Sequence, residues 1–330
     1  MIRSIVAFTT LMSIGLLMVW GAMHQHIFIK KVVVANASTL EISRGDSLEN
    51  VIKNLRAQRI MIDPLWFRLS SYRTHLDRML KVGEYVLDKG ATAADILALL
   101  KSGKTKQYAM TFPEGWTFKQ WFQAIQDSPN LQHLLPADAD MAEVVRKIGF
   151  SEPHPEGLFF PDTYYFEKNS SDVELLKRAH AKMQQVLAGA WRKRDKDIPL
   201  ETPYQALIMA SIIEKEAAAA EERKKISGVF SRRLKMGMLL QTDPTVIYGM
   251  GEDFHGNIRR KDLLEPTPYN TYVNKGLPPT PIAMPGKAAI EAALHPAEGD
   301  ELFFVAKGDG KHVFSSTYSA HEKYVAMYQR

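Results

Sequence analysis

Hydrophobic and polar positions follow three patterns along this chain. The first is unbroken: residues 4–23 form a run of twenty without a formal charge, preceded by Arg3. A helix of that length rises about 30 Å, the thickness of a bilayer core. The second is short alternation at 39–42, 83–87 and 108–112, which predicts strands. The third is the helical repeat. Leu48, Val51, Ile52 and Leu55 recur behind Ser47, a plausible N-cap. Pro64 suits the first turn of a helix over 64–72, and Gly103 stops another over 94–100. Further helices are predicted at 118–126 behind Thr117, at 141–148, and at 173–193 with one apolar stripe. The pattern continues helical over 229–236 and again over 289–294. Residues 302–315 read as a β-hairpin around a glycine turn. The fold class is α+β.

Two readings compete for the apolar run, a cleaved signal peptide and a retained anchor. It is longer than a typical signal core, and Trp20-Gly21-Ala22-Met23 lacks a small-x-small cleavage pair. Trp20 also suits a membrane interface. The expectation is a single transmembrane anchor with its flank over 1–31. Arg3 and Lys30-Lys31 lie on opposite sides, so the flanking charges leave orientation open.

Composition narrows the function classes. Of 330 residues, 45% are hydrophobic and 24% charged, which excludes a disordered, collagenous or multi-span chain. The absence of cysteine excludes disulfides, cysteine-ligated metals and thiol nucleophiles. Residues 1–106 hold fifteen Lys and Arg against eight Asp and Glu, whereas residues 107–330 hold 27 against 29. The larger part is therefore no nucleic-acid binder on electrostatic grounds. His255, His295 and His312 lack metal-ligand spacing, so neither metal nor cofactor is expected.

Candidate chemistry concentrates after Thr202-Pro203-Tyr204-Gln205, a strong helix start with the makings of a capping box. Eight uncharged residues, 206–213, predict a helix buried on all sides. Glu214 and Glu216 follow directly, about 200° apart on the helix, among small residues and with no basic partner at i±3 or i±4. A desolvated, unneutralised carboxyl has the raised proton affinity that a general acid needs. The plain alternative is a helix leaving the core with both glutamates wet. Gln241, Thr242 and Asp243 bunch polar groups ahead of Pro244, as a binding loop would. The aromatic segment 155–166, with Glu156 and Asp162, is either a core-lining loop or a platform for sugar rings.

Residues 32–106, ordered strand, helix, helix, strand, helix, resemble the LysM-like βααβ modules that bind peptidoglycan glycan strands. A spacer without a ligand is the alternative. Over nearly the whole chain the likeness is to the YceG-like family of endolytic lytic transglycosylases of the bacterial inner membrane. It is carried, in order, by EGLFFPDTYYF at 156–166, LIMASIIEKEA at 207–217, LQTDPTVIYG at 240–249, YNTY at 269–272, GLPPTPIAMPG at 276–286 and FFVAKGDGKHVFS at 303–315. The resemblance implies a catalytic domain over 107–330 that cleaves MurNAc–GlcNAc bonds and leaves 1,6-anhydro ends. Glu214 would be the single acid and base, with Glu216 the fallback. Gln241, Thr242, Asp243, Tyr248 and Asn270, with Glu156 and Asp162, are the expected substrate contacts. The implied setting is a single-pass inner-membrane protein with its body in the periplasm, near peptidoglycan synthases. Two rivals are a muramidase that uses water, with Glu156, Asp162 or Asp243 as second carboxylate, and a non-catalytic peptidoglycan-binding scaffold.

Overall fold

The computed structural model describes residues 2–150, 152, 154–217 and 219–329. The chain divides into two compact units, Met1–Tyr108 with Tyr165–Asn169, and Ala109–Tyr164 with Ser170–Arg330.

The first unit begins with α1 (Ile2–His24), which runs on through a wider helical turn to Lys30. Then follow β1 (Ser38–Ile42), α2 (Leu48–Ala57), α3 (Pro64–Arg73), β2 (Gly83–Leu87) and α4 (Ala93–Ser102). The two strands pair antiparallel, Ser38 opposite Leu87 and Ile42 opposite Gly83. Local chemistry starts each helix: Ser47 caps α2, Asp63 caps α3 ahead of Pro64, and Thr92 forms a capping box with Asp95 on α4. The buried stripes of these helices close on Leu40, Ile42, Tyr85 and Leu87 of the strand pair.

The second unit contains α5 (Phe118–Gln126), α6 (Met141–Ile148), α7 (Asp172–Trp191), α8 (Pro203–Glu216), α9 (Arg223–Lys235), α10 (Asp243–Met250), α11 (Lys287–Leu294) and α12 (Tyr318–Tyr328). Its strands are short. β3 (Gln107–Thr111) pairs with β5 (Thr163–Glu167), and both cross the division between the units. β4 (Leu131–Gln132) pairs with β6 (Ser170–Ser171), and β7 (Phe303–Ala306) with β8 (His312–Ser315). Helix α8 is the hub, with α7, α9, α10 and α11 packed around it. That is why residues 206–213 carry no charge: every one of them is buried. Thr202 caps α8 as expected, but the Gln205 side chain accepts from the Glu201 N–H, so the capping box is not reciprocal.

Residues 243–250 form a helix that the patterns did not predict, with Pro244 in its first turn. Helix α9 begins at Arg223, six residues before 229. The segment 155–166 lines the core: Leu158, Phe159, Phe160 and Tyr164 are buried, and Phe159 lies 5.3 Å from Phe118 between ring centroids. These four side chains are consumed by packing, which leaves Tyr165 as the exposed ring of the segment.

Candidate active site

Glu214 lies two residues short of where the hub helix ends, and three other segments converge on it. The Pro113–Trp116 turn is held by Gly115 N–H donating to Met284 O at 2.8 Å and Met284 N–H donating to Trp116 O at 2.8 Å. Ile282 N–H donates to the Ser211 hydroxyl at 3.0 Å, which pins the following segment to α8. Consequently Gly286 reaches the carboxylate and donates its N–H to Glu214 Oε2 at 2.9 Å. From α9, Arg223 Nη2 stands 3.4 Å from Glu214 Oε1. The Glu214 side chain is only 7% exposed, so the wet-surface alternative fails. Arg223 lies nine residues away, out of reach of any i±4 rule. Only the break between α8 and α9 brings it back.

The neighbouring carboxyl is one that local patterns missed, Glu114. A Cβ on Gly286 would overlap its carboxylate. Burial and the charge of Glu214 both push the Glu114 carboxyl above the usual range, opposed by Arg223. The signal was present as the Pro-Glu-Gly turn, but nothing local tied it to a helix a hundred residues on.

Glu216 faces elsewhere, as the angular separation on the helix requires. It accepts a hydrogen bond from the Thr242 hydroxyl. Burial, with the charge of Asp243, pushes its carboxyl up. It lines a cavity of about 410 Å³ together with Arg233, Gln241, Asp243, Tyr272 and His312. Gln241 holds a left-handed backbone at φ 50°, uncommon for a residue with a side chain. Its N–H donates to Thr271 O at 3.1 Å. Asp243 accepts from Tyr272 Oη at 2.6 Å.

The remaining expected residues have structural partners. Glu156 is 2% exposed and accepts from Phe118 N–H at 2.9 Å and Tyr248 Oη at 3.0 Å. Burial raises its carboxyl to about 8. Tyr248 is pushed up in turn by burial and by that carboxyl. Asp162 pairs with Lys182, which holds it below the usual range. Asn270 is buried and donates to the carbonyls of Asp262, Leu263 and Glu265, while accepting from Tyr272 N–H at 2.9 Å. The structure thus brings Gln241, Thr242 and Asp243 together around Glu216, and Glu156 together with Tyr248. The groups it gathers at Glu214 are Glu114, Arg223 and Gly286.

The sequence matches the model of the YceG-like family over residues 40–327. The chain belongs to that family. This YceG-like chain is 36% identical over 259 residues to the endolytic murein transglycosylase of Bacillus subtilis strain 168, covering 74% of this chain and 71% of that one. It is 29% identical over 322 residues to the protein of the same name from Streptococcus pneumoniae serotype 2 strain D39, covering 87% of this chain and 58% of the relative. A crystal structure of a YceG-like protein from Listeria monocytogenes superposes with a TM-score of 0.56 at 30% identity, covering 87% of this chain and 98% of that one.

Proposed function

We propose that this protein is a membrane-anchored endolytic lytic transglycosylase of peptidoglycan. The observation that carries this reading is Glu214, a side chain almost out of water with a separate donor on each carboxylate oxygen. As general acid, Glu214 gives its proton to the glycosidic oxygen as the bond from that oxygen to the anomeric carbon breaks. Arg223 and the Gly286 N–H are already aimed at the negative charge this leaves on the carboxylate. The same carboxylate then takes the proton of the sugar's 6-hydroxyl as that oxygen bonds to the anomeric carbon. No water is consumed, and the new end is 1,6-anhydro-N-acetylmuramic acid. This chemistry explains why one carboxylate suffices, where ordinary glycosidases place two at a set separation.

Sugar contacts are assigned to Gln241, Thr242 and Asp243, whose polar groups lie in or beside the cavity next to Glu216. Glu156, Tyr248, Asn270 and Asp162 hold the walls rather than the sugar. Helix α1 is read as the anchor, the first unit as a LysM-like glycan-binding module, and the body as periplasmic, near peptidoglycan synthases. The apolar run supports the anchor, and the order of β1, α2, α3 and β2 supports the module.

A water-using muramidase is the second reading, favoured by one observation: Glu114 offers a second carboxyl near the acid. One experiment decides. Purified peptidoglycan is digested with the wild type and with Glu214→Gln, and the products are weighed by mass spectrometry. Anhydro ends from the wild type and none from Glu214→Gln are expected. Reducing ends alone, no new ends, or full activity of Glu214→Gln would each overturn the proposal.

A further inference from the structure

Helix α3 of the first unit has two apolar faces, and only one is used. Trp66 and Phe67 are buried, at 4% and below 1% exposure. On the other side, Leu65, Leu69 and Tyr72 are 61%, 44% and 56% exposed. At 100° per residue these three fall within about 60° of one another on the helix surface, so they form one stripe. Met61, just before the helix, is 64% exposed as well. Such a stripe is costly in water and marks a contact surface.

The position of α3 on α1 indicates what covers it. The rings of Trp20 and Trp66 lie 4.2 Å apart, and His24 lies 5.0 Å from Trp66. His24 Nε2 is also 3.4 Å from the Ser70 hydroxyl. Helix α3 is therefore packed against the last turn of the apolar run, where uncharged residues give way to His24, Gln25 and His26. If α1 crosses a bilayer, that turn lies at the level where acyl chains meet headgroups. Trp and Tyr are enriched there, and amphipathic helices lie in that plane with their apolar face down. On the same 100° wheel Arg73 borders the stripe on one side, while Arg68 on the other side is held by Glu49. A long cationic side chain such as Arg73 reaches up to phosphate while its stem stays in the apolar layer. The basic surplus of residues 1–106 has the sign that anionic headgroups favour.

We propose that the Leu65–Leu69–Tyr72 stripe of α3 rests in the interfacial layer of an anionic lipid bilayer, so that the first unit is held on the membrane by a second contact beside α1. This rests on the reading of α1 as an anchor, and the test separates the two.

The chain contains no cysteine, so each introduced thiol is unique. Full-length protein carrying Leu65→Cys, Leu69→Cys, Tyr72→Cys, Leu16→Cys or Lys53→Cys is spin-labelled and placed in nanodiscs of phosphatidylethanolamine and phosphatidylglycerol. All five positions are solvent-exposed, so the labels leave the core packing in place. Relaxation by oxygen, which partitions into lipid, is compared with relaxation by a water-soluble nickel chelate. Labels at 65, 69 and 72 are expected to show an oxygen-to-nickel ratio at least about fivefold above that at 53, as interfacial burial requires. A ratio at those three equal to that at 53, with the label at 16 reading lipid, overturns the docking proposal alone. A label at 16 that reads water overturns the anchor and the docking together.

Discussion

Arg223 and Glu214 meet across a break in helix. Helix α8 ends at Glu216, α9 begins at Arg223, and the turn between them folds the guanidinium back to 3.4 Å from the carboxylate. With the guanidinium 18% exposed and the carboxylate 7%, water screens this pair far less than a surface ion pair.

Arg223→Gln removes the charge that holds the carboxylate left after proton donation. We expect kcat to fall about 100- to 1000-fold with KM changed much less, as for loss of one preorganised donor. Initial rates of anhydro-end formation across a range of glycan concentrations measure the split. A loss confined to KM would assign Arg223 to substrate binding instead.

Gly286→Ala tests Glu114 without touching it. The backbone there, φ −76°, accepts alanine, but the new methyl would displace the Glu114 carboxylate. That group is the far end of a flexible side chain, so thermal stability should hardly change. If Glu114 assists the reaction, Gly286→Ala and Glu114→Ala should lower the rate alike, and the double variant should be no worse than either. Additive losses would show that the two residues act separately.

Glu156 predicts a pH-dependent stability. Its folded value of about 8 lies above its ordinary 4.5, so the folded chain keeps a proton that the unfolded chain loses. The stability this contributes is complete below about pH 4.5 and is lost as pH rises through 8. Glu156→Gln cannot ionise, so its melting temperature should match the wild type near pH 5 and exceed it near pH 9. Calorimetry at the two pH values checks this, and a difference independent of pH would contradict it.

Asn270→Ala should destabilise the second unit by about 2–3 kcal/mol, since it strips one buried N–H and several carbonyls of their partner. Denaturant unfolding of the full chain measures the loss. An unchanged transition with impaired glycan binding would return Asn270 to the substrate.

Much of the local structure was legible before the fold was known. Ser47, Thr117 and Thr202 each cap the helix their spacing predicts, because a cap is satisfied by backbone two or three residues on. The uncharged run 206–213 announced the hub helix, and the angle between Glu214 and Glu216 already implied that they face different surroundings. Periodicity reaches no further than a turn or two. The i±4 rule left Glu214 without a basic partner, yet Arg223 supplies one through a reversal of the chain. Glu114 precedes it by a hundred residues and Gly286 follows it by 72, and only the packing of their loops brings them to it. Asn270 shows the same limit from the other side. Its polarity suggested a ligand, but the fold had already directed that amide at its own carbonyls. Sequence alone determined most of the elements, the apolar run at the start and the family motifs, since each is written in neighbours along the chain. Tertiary structure alone decided which carboxyl meets which donor, since that depends on where distant segments are packed.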